Sequence, residues 1–534
     1  MTTTAHASET QPIATSPCGT FAGVTDDSVS IFRGVRYGAP PIGSLRFAPP
    51  QRAEVAEGIV DSSQFGSISP QDIDPLPMAV PGTEAIYYAS QSVSDEDCLN
   101  LNIWTPDIAG KAPVLFWIHG GAFLCGSGSG SWTDGARMAR DHGIVVVSVN
   151  YRLGYLGGLF LGDYDERYSN QAIQDQTLAL KWVQQNIAAF GGDPDHVTVG
   201  GHSAGAVSVA SLLIAPGARG LFRRVFLESG HLEMMTEIGK ARETTDFLLR
   251  QLSVDPAGDV LAQLRDISIF RILAVQRMFG IGRRVFPTVL DGVTLASDPY
   301  AALSERSDID ILIGSTSEED RLFPITGWAP PERSLPATIA AYLRDPDAQS
   351  EAAALYAPVL KAVGGDAANV GHVIATEHGW GEPVRYLAHR HAAAGGRGFV
   401  YEFGWKSPGL GGRTGAAHVV DLPFFFDNLD ATGVADMLGS EVRDAPVRAL
   451  AKGLSSALAA FVKTGDPSGP LGTWPAYASR QRATMIADLE PHVKTDRLAE
   501  RLDFWERHRD SSAPVLSNIF GTEFEQRKTG DAGA

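Results

Sequence analysis

The chain of 534 residues carries only three cysteines, Cys18, Cys98 and Cys125. They are too few and too scattered for a disulfide framework or a thiolate metal cluster. No stretch offers about 20 uninterrupted apolar residues, so a membrane-spanning helix is not expected. The start, Met1-Thr2-Thr3-Thr4-Ala5-His6-Ala7-Ser8-Glu9, lacks both the basic segment and the apolar stretch of a signal peptide, and a cytoplasmic location is expected. Positive charge is also scarce. Against 62 Asp and Glu stand 44 Lys and Arg, giving a formal net charge of −18. A phosphate backbone or anionic membrane would be repelled, which argues against nucleic acid as a partner. Histidines such as His372, His378, His389 and His391 show no ligand spacing joined to carboxylates or cysteines, so packing and surface roles are expected and no metal. Internal repeats and low-complexity linkers are missing as well, which favours one domain.

What is present suits a large folded core: 44% hydrophobic residues and 20% charged. The runs Pro113–Ile118 and Ile144–Val149 are apolar without alternation, the pattern of strands covered on both faces of a mostly parallel sheet. A helix is predicted over 174–189, ended by Gly191-Gly192, with strands at His196–Gly200, Arg224–Leu227, Ile309–Gly314 and Gly398–Phe403. This alternation indicates an α/β architecture. Two stretches, 232–300 and 325–395, carry helical patterns and few strand runs. They read as helical caps over the carboxyl ends of the strands, where open α/β sheets bind ligands. The domain is expected to span 18–524, with 1–17 and 525–534 as frayed tails.

The pentapeptide Gly201-His202-Ser203-Ala204-Gly205 sits where a strand turns into a helix. A serine there stands on a sharp turn, with flanking glycines where a Cβ would not fit. Its hydroxyl is a poor nucleophile until a base takes its proton, so a histidine and an orienting carboxylate are required. Downstream, Gly314-Ser315-Thr316-Ser317-Glu318-Glu319-Asp320 follows a strand end and offers three competing carboxylates. His418, in a loop of small residues ahead of Phe424-Phe425-Phe426, is the base candidate. His119-Gly120-Gly121-Ala122-Phe123, after another strand, supplies unobstructed backbone N–H groups for a developing oxyanion, and Ala204 adds one more.

Further ordered blocks accompany these: Phe32-Arg33-Gly34-Val35-Arg36-Tyr37, Pro40-Pro41-Ile42-Gly43, Glu96-Asp97-Cys98-Leu99-Asn100-Leu101-Asn102-Ile103, Asn150-Tyr151-Arg152, Phe190-Gly191-Gly192-Asp193-Pro194, Glu228-Ser229-Gly230 and Thr464-Gly465-Asp466-Pro467. Over most of its length the chain resembles the type-B carboxylesterases, the α/β-hydrolase branch that includes bacterial para-nitrobenzyl esterases and cholinesterases. The resemblance implies an α/β-hydrolase fold with a large mostly parallel sheet, flanking helices and helical cap insertions. It implies Ser203 as nucleophile, His418 as base and, among the three carboxylates, Glu319 as the acid. The oxyanion donors it implies are the N–H groups of Gly121, Ala122 and Ala204, with Gly120 in support. The implied chemistry is acyl transfer from a small-molecule ester to Ser203 and then to water, without a cofactor.

Departures from the family pattern narrow the expectation. His202 stands where a glutamate is usual, which disfavours cationic substrates. Asp320 replaces a glycine and Asp421 a glutamate. Cys98 matches a cysteine that is disulfide-bonded in secreted relatives but lacks a partner in the preceding loop, which suits a free thiol and a reducing compartment. Tyr88 lies near the position of the choline-binding tryptophan of cholinesterases, disfavouring choline esters. Small to medium neutral esters are therefore expected. A carbamate or amide hydrolase would use the same machinery, as would a lipase acting at an interface. A non-catalytic adhesion module, such as the neuroligins, is disfavoured by the intact triad.

Overall fold

The apolar runs without alternation form the parallel centre of an eleven-stranded sheet in the computed structural model, which describes residues 11–71, 83–87, 89, 92–277, 288–326 and 334–515. In chain order the strands are β1 (Val24–Asp26), β2 (Val29–Arg36), β3 (Asn100–Thr105), β4 (Ala112–Ile118), β5 (Val145–Val149), β6 (Gly192–His202), β7 (Arg224–Glu228), β8 (Asp310–Thr316), β9 (Gly398–Phe403), β10 (Thr484–Ala487) and β11 (His492–Lys494). They lie in the order β11-β10-β9-β8-β7-β6-β4-β5-β3-β2-β1. From β10 to β5 every neighbouring pair is parallel. The margins are antiparallel: β11 on one side, and β3, β2 and β1 on the other. This is the α/β architecture that the alternation indicates, in the α/β-hydrolase arrangement that the resemblance implies.

Alternate residues of the central strands serve two cores. Phe116, Ile118, Val147, Val199, Leu227 and Ile313 pack with Val183, Val209 and Leu213 of the helices Gln171–Asn186 and Ala204–Ile214. Leu115, Trp117, Val146, Phe226 and Leu312 pack on the opposite face with Leu454, Leu458 and Phe461 of the helix Ala445–Thr464. Covering both faces is what permits strands without polar alternation. Among the described residues no helix is long and apolar enough to cross a membrane.

Three local expectations are corrected. The first helix begins at Gln171 rather than 174, and its end passes into a tighter turn at Ile187–Phe190 before Gly191 at φ 79°. The elbow strand is eleven residues long, because Gly192–Asp195 joins it ahead of His196 and Gly201 and His202 continue it past Gly200. The fold also starts before residue 18: Ile13–Ser16 pairs antiparallel with Gly19–Ala22, which pairs in turn with Ile59–Asp61. Those pairings bury Ala14 and Phe21 and satisfy backbone groups that a frayed tail would leave to water. Residues 525–534 lie outside the described residues.

The two helical excursions leave the sheet after β7 and after β8. The first carries helices Ile238–Leu252, Val260–Asp266, Ile269–Arg277 and Pro299–Ser304. The second carries Leu335–Tyr342, Pro346–Ala362, Ala367–Thr376 and Glu382–Ala393.

One buried ion pair ties the loop after β5 to the first large helix. Asp175 accepts from Arg152 through Nη2 at 2.7 Å, Nε at 2.9 Å and the backbone N–H at 3.0 Å, while Nη1 donates to the Ala48 carbonyl at 2.8 Å. Both side chains are at most 2% exposed. Removing one member strands the other charge in the core. Asp175→Ala should therefore destabilise the protein by about 3–5 kcal/mol, read as a lower urea midpoint at unchanged denaturant slope.

Candidate active site

The turn after β6 is strained in the way a nucleophile elbow requires. Ser203 has φ 56° and ψ −123°, between the end of β6 and the helix Ala204–Ile214. A non-glycine residue there costs about 1–3 kcal/mol and persists only if its neighbours over-determine it. They do. The Ser203 N–H donates to the Glu228 carbonyl at 2.8 Å, and its carbonyl accepts from Val207 N–H at 2.9 Å. A Cβ at Gly205 would lie 2.0 Å from the Ile118 carbonyl oxygen, and one at Gly201 2.6 Å from the Gly205 backbone. Only glycine permits strand, turn and helix to close this tightly.

The loop after β4 presses on the same turn. A Cβ at Gly120 would lie 2.8 Å from the His202 carbonyl oxygen and 3.2 Å from the Ser203 Cβ. Gly121 (φ 111°), Ala122 (φ 55°) and Phe123 (φ 58°) all occupy positive φ, a backbone form that non-glycine residues adopt rarely. None of the N–H groups of Gly121, Ala122 and Ala204 donates to a protein acceptor among the described residues. His119 anchors the loop. Its ring stacks on Tyr151 with centroids 4.5 Å apart, and the Tyr151 hydroxyl donates to its carbonyl at 2.9 Å. Burial pushes the His119 imidazole down to about 4, so it is neutral near pH 7.

Ser203, His418 and Glu319, far apart in the chain, meet here. His418 Nε2 lies 2.8 Å from Ser203 Oγ, and Nδ1 is hydrogen-bonded to Glu319 Oε2. A carboxylate at Nδ1 fixes the tautomer: Nδ1 carries the proton and Nε2 is left to accept from the serine. Glu319 is wholly buried, and its other oxygen accepts from Ser229 Oγ at 2.6 Å and Thr316 N–H at 2.7 Å.

The three consecutive carboxylates divide three tasks. Glu318 accepts from Lys406 Nζ at 2.9 Å and Ala416 N–H at 3.0 Å, bracing the histidine loop. Burial opposes its charge, but those two donors hold its carboxyl below the ordinary range. Asp320 turns away to His372 Nδ1 at 2.6 Å, and its N–H donates to Thr376 Oγ1 at 3.2 Å, both on the second excursion. Of the three, Glu319 is the one that faces the His418 imidazole.

Among the described residues three rings lie against His418. His202 lies 4.6 Å away, Trp380 5.9 Å and Phe323 6.1 Å, between centroids. Trp380 and Phe323 stack on each other at 5.9 Å. Trp380 is delivered by a π-helical turn, Glu377–Gly381, ahead of the helix Glu382–Ala393. Sequence reasoning missed it, since nothing local marks that turn. Ser229 was visible only as part of a motif; its place beside Glu319 follows from the register that aligns Glu228 with Gly314. His202 is buried, its Nε2 lacks a partner among the described residues, and burial together with the neighbouring His418 pushes its pKa well below the ordinary imidazole value. Tyr88 lies outside the described residues. Among the described residues no group of three His, Cys, Asp or Glu side chains could hold a metal ion.

A serine on an elbow, an imidazole on its hydroxyl and a buried carboxylate behind the imidazole, at the carboxyl ends of a doubly wound sheet, define a serine hydrolase of the α/β-hydrolase fold. The chain belongs to the carboxylesterase family, whose model matches residues 10–505. It is 36% identical over 508 residues to the para-nitrobenzyl esterase of Bacillus subtilis (strain 168), covering 92% of this chain and 98% of that relative. It is 34% identical over 497 residues to the phenmedipham hydrolase of Pseudarthrobacter oxydans, covering 89% and 95%. Among solved structures it is similar to a PNB esterase, with a TM-score of 0.80 at 33% identity over 93% of this chain and 99% of that one. A carboxylesterase of Geobacillus stearothermophilus gives a TM-score of 0.75 at 34% identity over 92% and 99%. The protein is a carboxylic-ester hydrolase.

The geometry makes a spectroscopic prediction independent of turnover. The low-field proton resonance of a histidine Nδ1–H held by a carboxylate should survive Glu318→Gln and Asp320→Asn and vanish in Glu319→Gln. Loss in Asp320→Asn instead would move the acid by one residue.

Proposed function

We propose that this protein hydrolyses small to medium neutral esters through an acyl-enzyme on Ser203, with His418 as general base and Glu319 as the group that orients it. The observation that carries this reading is the continuous chain from Ser203 Oγ through both nitrogens of His418 to Glu319. As Oγ attacks the ester carbonyl, His418 Nε2 takes the hydroxyl proton, and the carbonyl oxygen gains the negative charge. The N–H groups of Gly121, Ala122 and Ala204 receive it; removing one such donor typically costs about 2.7–4 kcal/mol of barrier. The imidazolium then protonates the departing alcohol. Water, deprotonated by the same nitrogen, attacks the acyl-serine and releases the acid. Each step uses groups already in place, so no cofactor is invoked.

The reading treats the chain as one catalytic domain with two helical caps. The cytoplasm suits it, because Cys18 and Cys98 are free thiols and Cys98 is buried. A second reading, carbamate hydrolysis, is favoured by the likeness to a phenmedipham hydrolase. It would place a carbamoyl group on Ser203 by the same steps.

Two experiments test the proposal. Ser203→Ala should fold and lose several orders of magnitude in kcat for para-nitrophenyl or benzyl esters, and a fluorophosphonate probe should label Ser203 stoichiometrically in the native protein but not in His418→Ala. Labelling of another serine would remove Ser203 from its role. Steady-state rates on matched acetate and carbamate esters of the same alcohol then separate the two readings.

The neutral-ester preference rests on His202, a buried imidazole without charge beside the base. A carboxylate there would attract a cation, so His202→Glu should raise kcat/KM for a cationic ester relative to its neutral isostere, and high salt should shrink the gain. An unchanged ratio in a folded variant would leave His202 with a packing role alone.

A further inference from the structure

Behind Glu319 lie two further carboxyl groups with no counter-charge. Glu228 is the last residue of β7, in register with His202 on β6 and Gly314 on β8. Asp421 follows the histidine loop, three residues after His418. Both are wholly buried. Among the described residues no donor outside the pair reaches either oxygen of Glu228 or Oδ1 of Asp421, and the Asp421 carboxyl has, besides its own backbone N–H, the Tyr401 hydroxyl 3.4 Å from Oδ2. The two carboxyls sit side by side, and the charged or titratable groups facing them are Glu319 beyond β8, Tyr401 on β9 and one another. His202 on β6, in register with Glu228, is kept neutral by burial and lies against the ring of His418.

A buried carboxylate without a donor costs several kcal/mol, and two in contact cannot both ionise beside a third. Glu319 is the one furnished with donors: Ser229, Thr316 and His418. Burial, and then the neighbouring carboxylates, push both Glu228 and Asp421 well above the ordinary range. Among the described residues, the hydrogen that can bridge the pair is a carboxyl proton of its own.

We propose that Glu228 is a protonated carboxylic acid at neutral pH that donates its hydrogen bond to an ionised Asp421, and that this dyad is a positioning element which holds the histidine loop and places one negative charge behind the base. Its effect on turnover rests on His418 being that base. Asp421 receives the Tyr401 hydroxyl and the Glu228 proton and so keeps the charge; Glu228 receives no donor and so keeps the proton. The cluster then carries two negative charges, on Glu319 and Asp421, toward the imidazolium that forms in the reaction. The dyad's proton spares it a third, uncompensated charge.

The two members should therefore differ in a way that a purely structural role would not produce. The acid limb of the kcat/KM profile, which reports uptake of a proton by the base, should move to lower pH by about one unit in Asp421→Asn, the low end of what loss of a nearby opposite charge produces. In Glu228→Gln, which swaps one neutral donor for another, the limb should stay in place. Equal shifts in both variants, or none in Asp421→Asn, would overturn the proposal. A second measurement does not depend on the role of His418. The infrared carbonyl band of a protonated carboxylic acid at pH 7 should be weaker in Glu228→Gln than in the native protein by one oscillator; an unchanged band would show Glu228 ionised and end the argument. If Glu228→Gln does not fold, Glu228→Asp keeps the same reading testable, since its protonated band should shift in frequency and persist.

Discussion

A Cβ at Gly205 would stand 2.0 Å from the carbonyl oxygen of Ile118, and one at Gly201 2.8 Å from the same atom. The last peptide of β4 and the elbow after β6 are thus pressed together through the space two side chains would need. Everything at the site follows from that approach. It drives Ser203 into a backbone conformation few non-glycine residues adopt, and it sets the loop after β4 against the elbow. Donors for an oxyanion and the serine hydroxyl then share one small volume without being adjacent in the chain. The strain of about 1–3 kcal/mol is held by the Glu228 carbonyl and the first turn of the following helix, both fixed by a sheet buried on two faces.

The same sheet distributes the acidic residues. Three successive positions after β8 carry carboxylates, yet each turns to a different element: Glu318 to the histidine loop, Glu319 to the base, Asp320 to the second excursion. The division explains how a strand end so rich in negative charge can remain ordered. Two of the groups brace the segments that aim the third. Asp320, in place of a glycine, thereby couples the cap to the acid loop through His372 and Thr376.

How much of this was legible depended on whether the signal is local. The elbow, the glycine-rich loop, the central strands and the order of serine, acid and histidine are written in short stretches whose chemistry admits few alternatives, and the structure brings those residues together. The residues alone left Glu318, Glu319 and Asp320 open, because only the resemblance, and then the geometry, distinguishes side chains one position apart on a turn. Ser229, Glu228 with Asp421, and Trp380 were illegible in their roles for a different reason. Each acts through a neighbour on another strand or cap, and register between strands or a π-helical turn leaves no periodic trace in sequence. The strand Ile13–Ser16 falls in the expected tail because four residues are too short to show a period.

Global and local charge also part company here. A net charge of −18 would suggest a protein suited to cations, but surface charges act on encounter and are screened beyond about 8–10 Å at physiological salt. Inside the site the rings against the base are His202, Phe323 and Trp380, and the imidazole among them is uncharged. On the proposed mechanism the reaction itself creates an oxyanion and an imidazolium, the first against backbone N–H groups and the second against Glu319. Among the described residues, the side chains whose rings lie against His418 offer a cationic substrate group aromatic faces and no carboxylate. Discrimination then rests on which charges lie within contact of the reacting atoms, where desolvation strengthens each one, and not on the sign of the whole molecule.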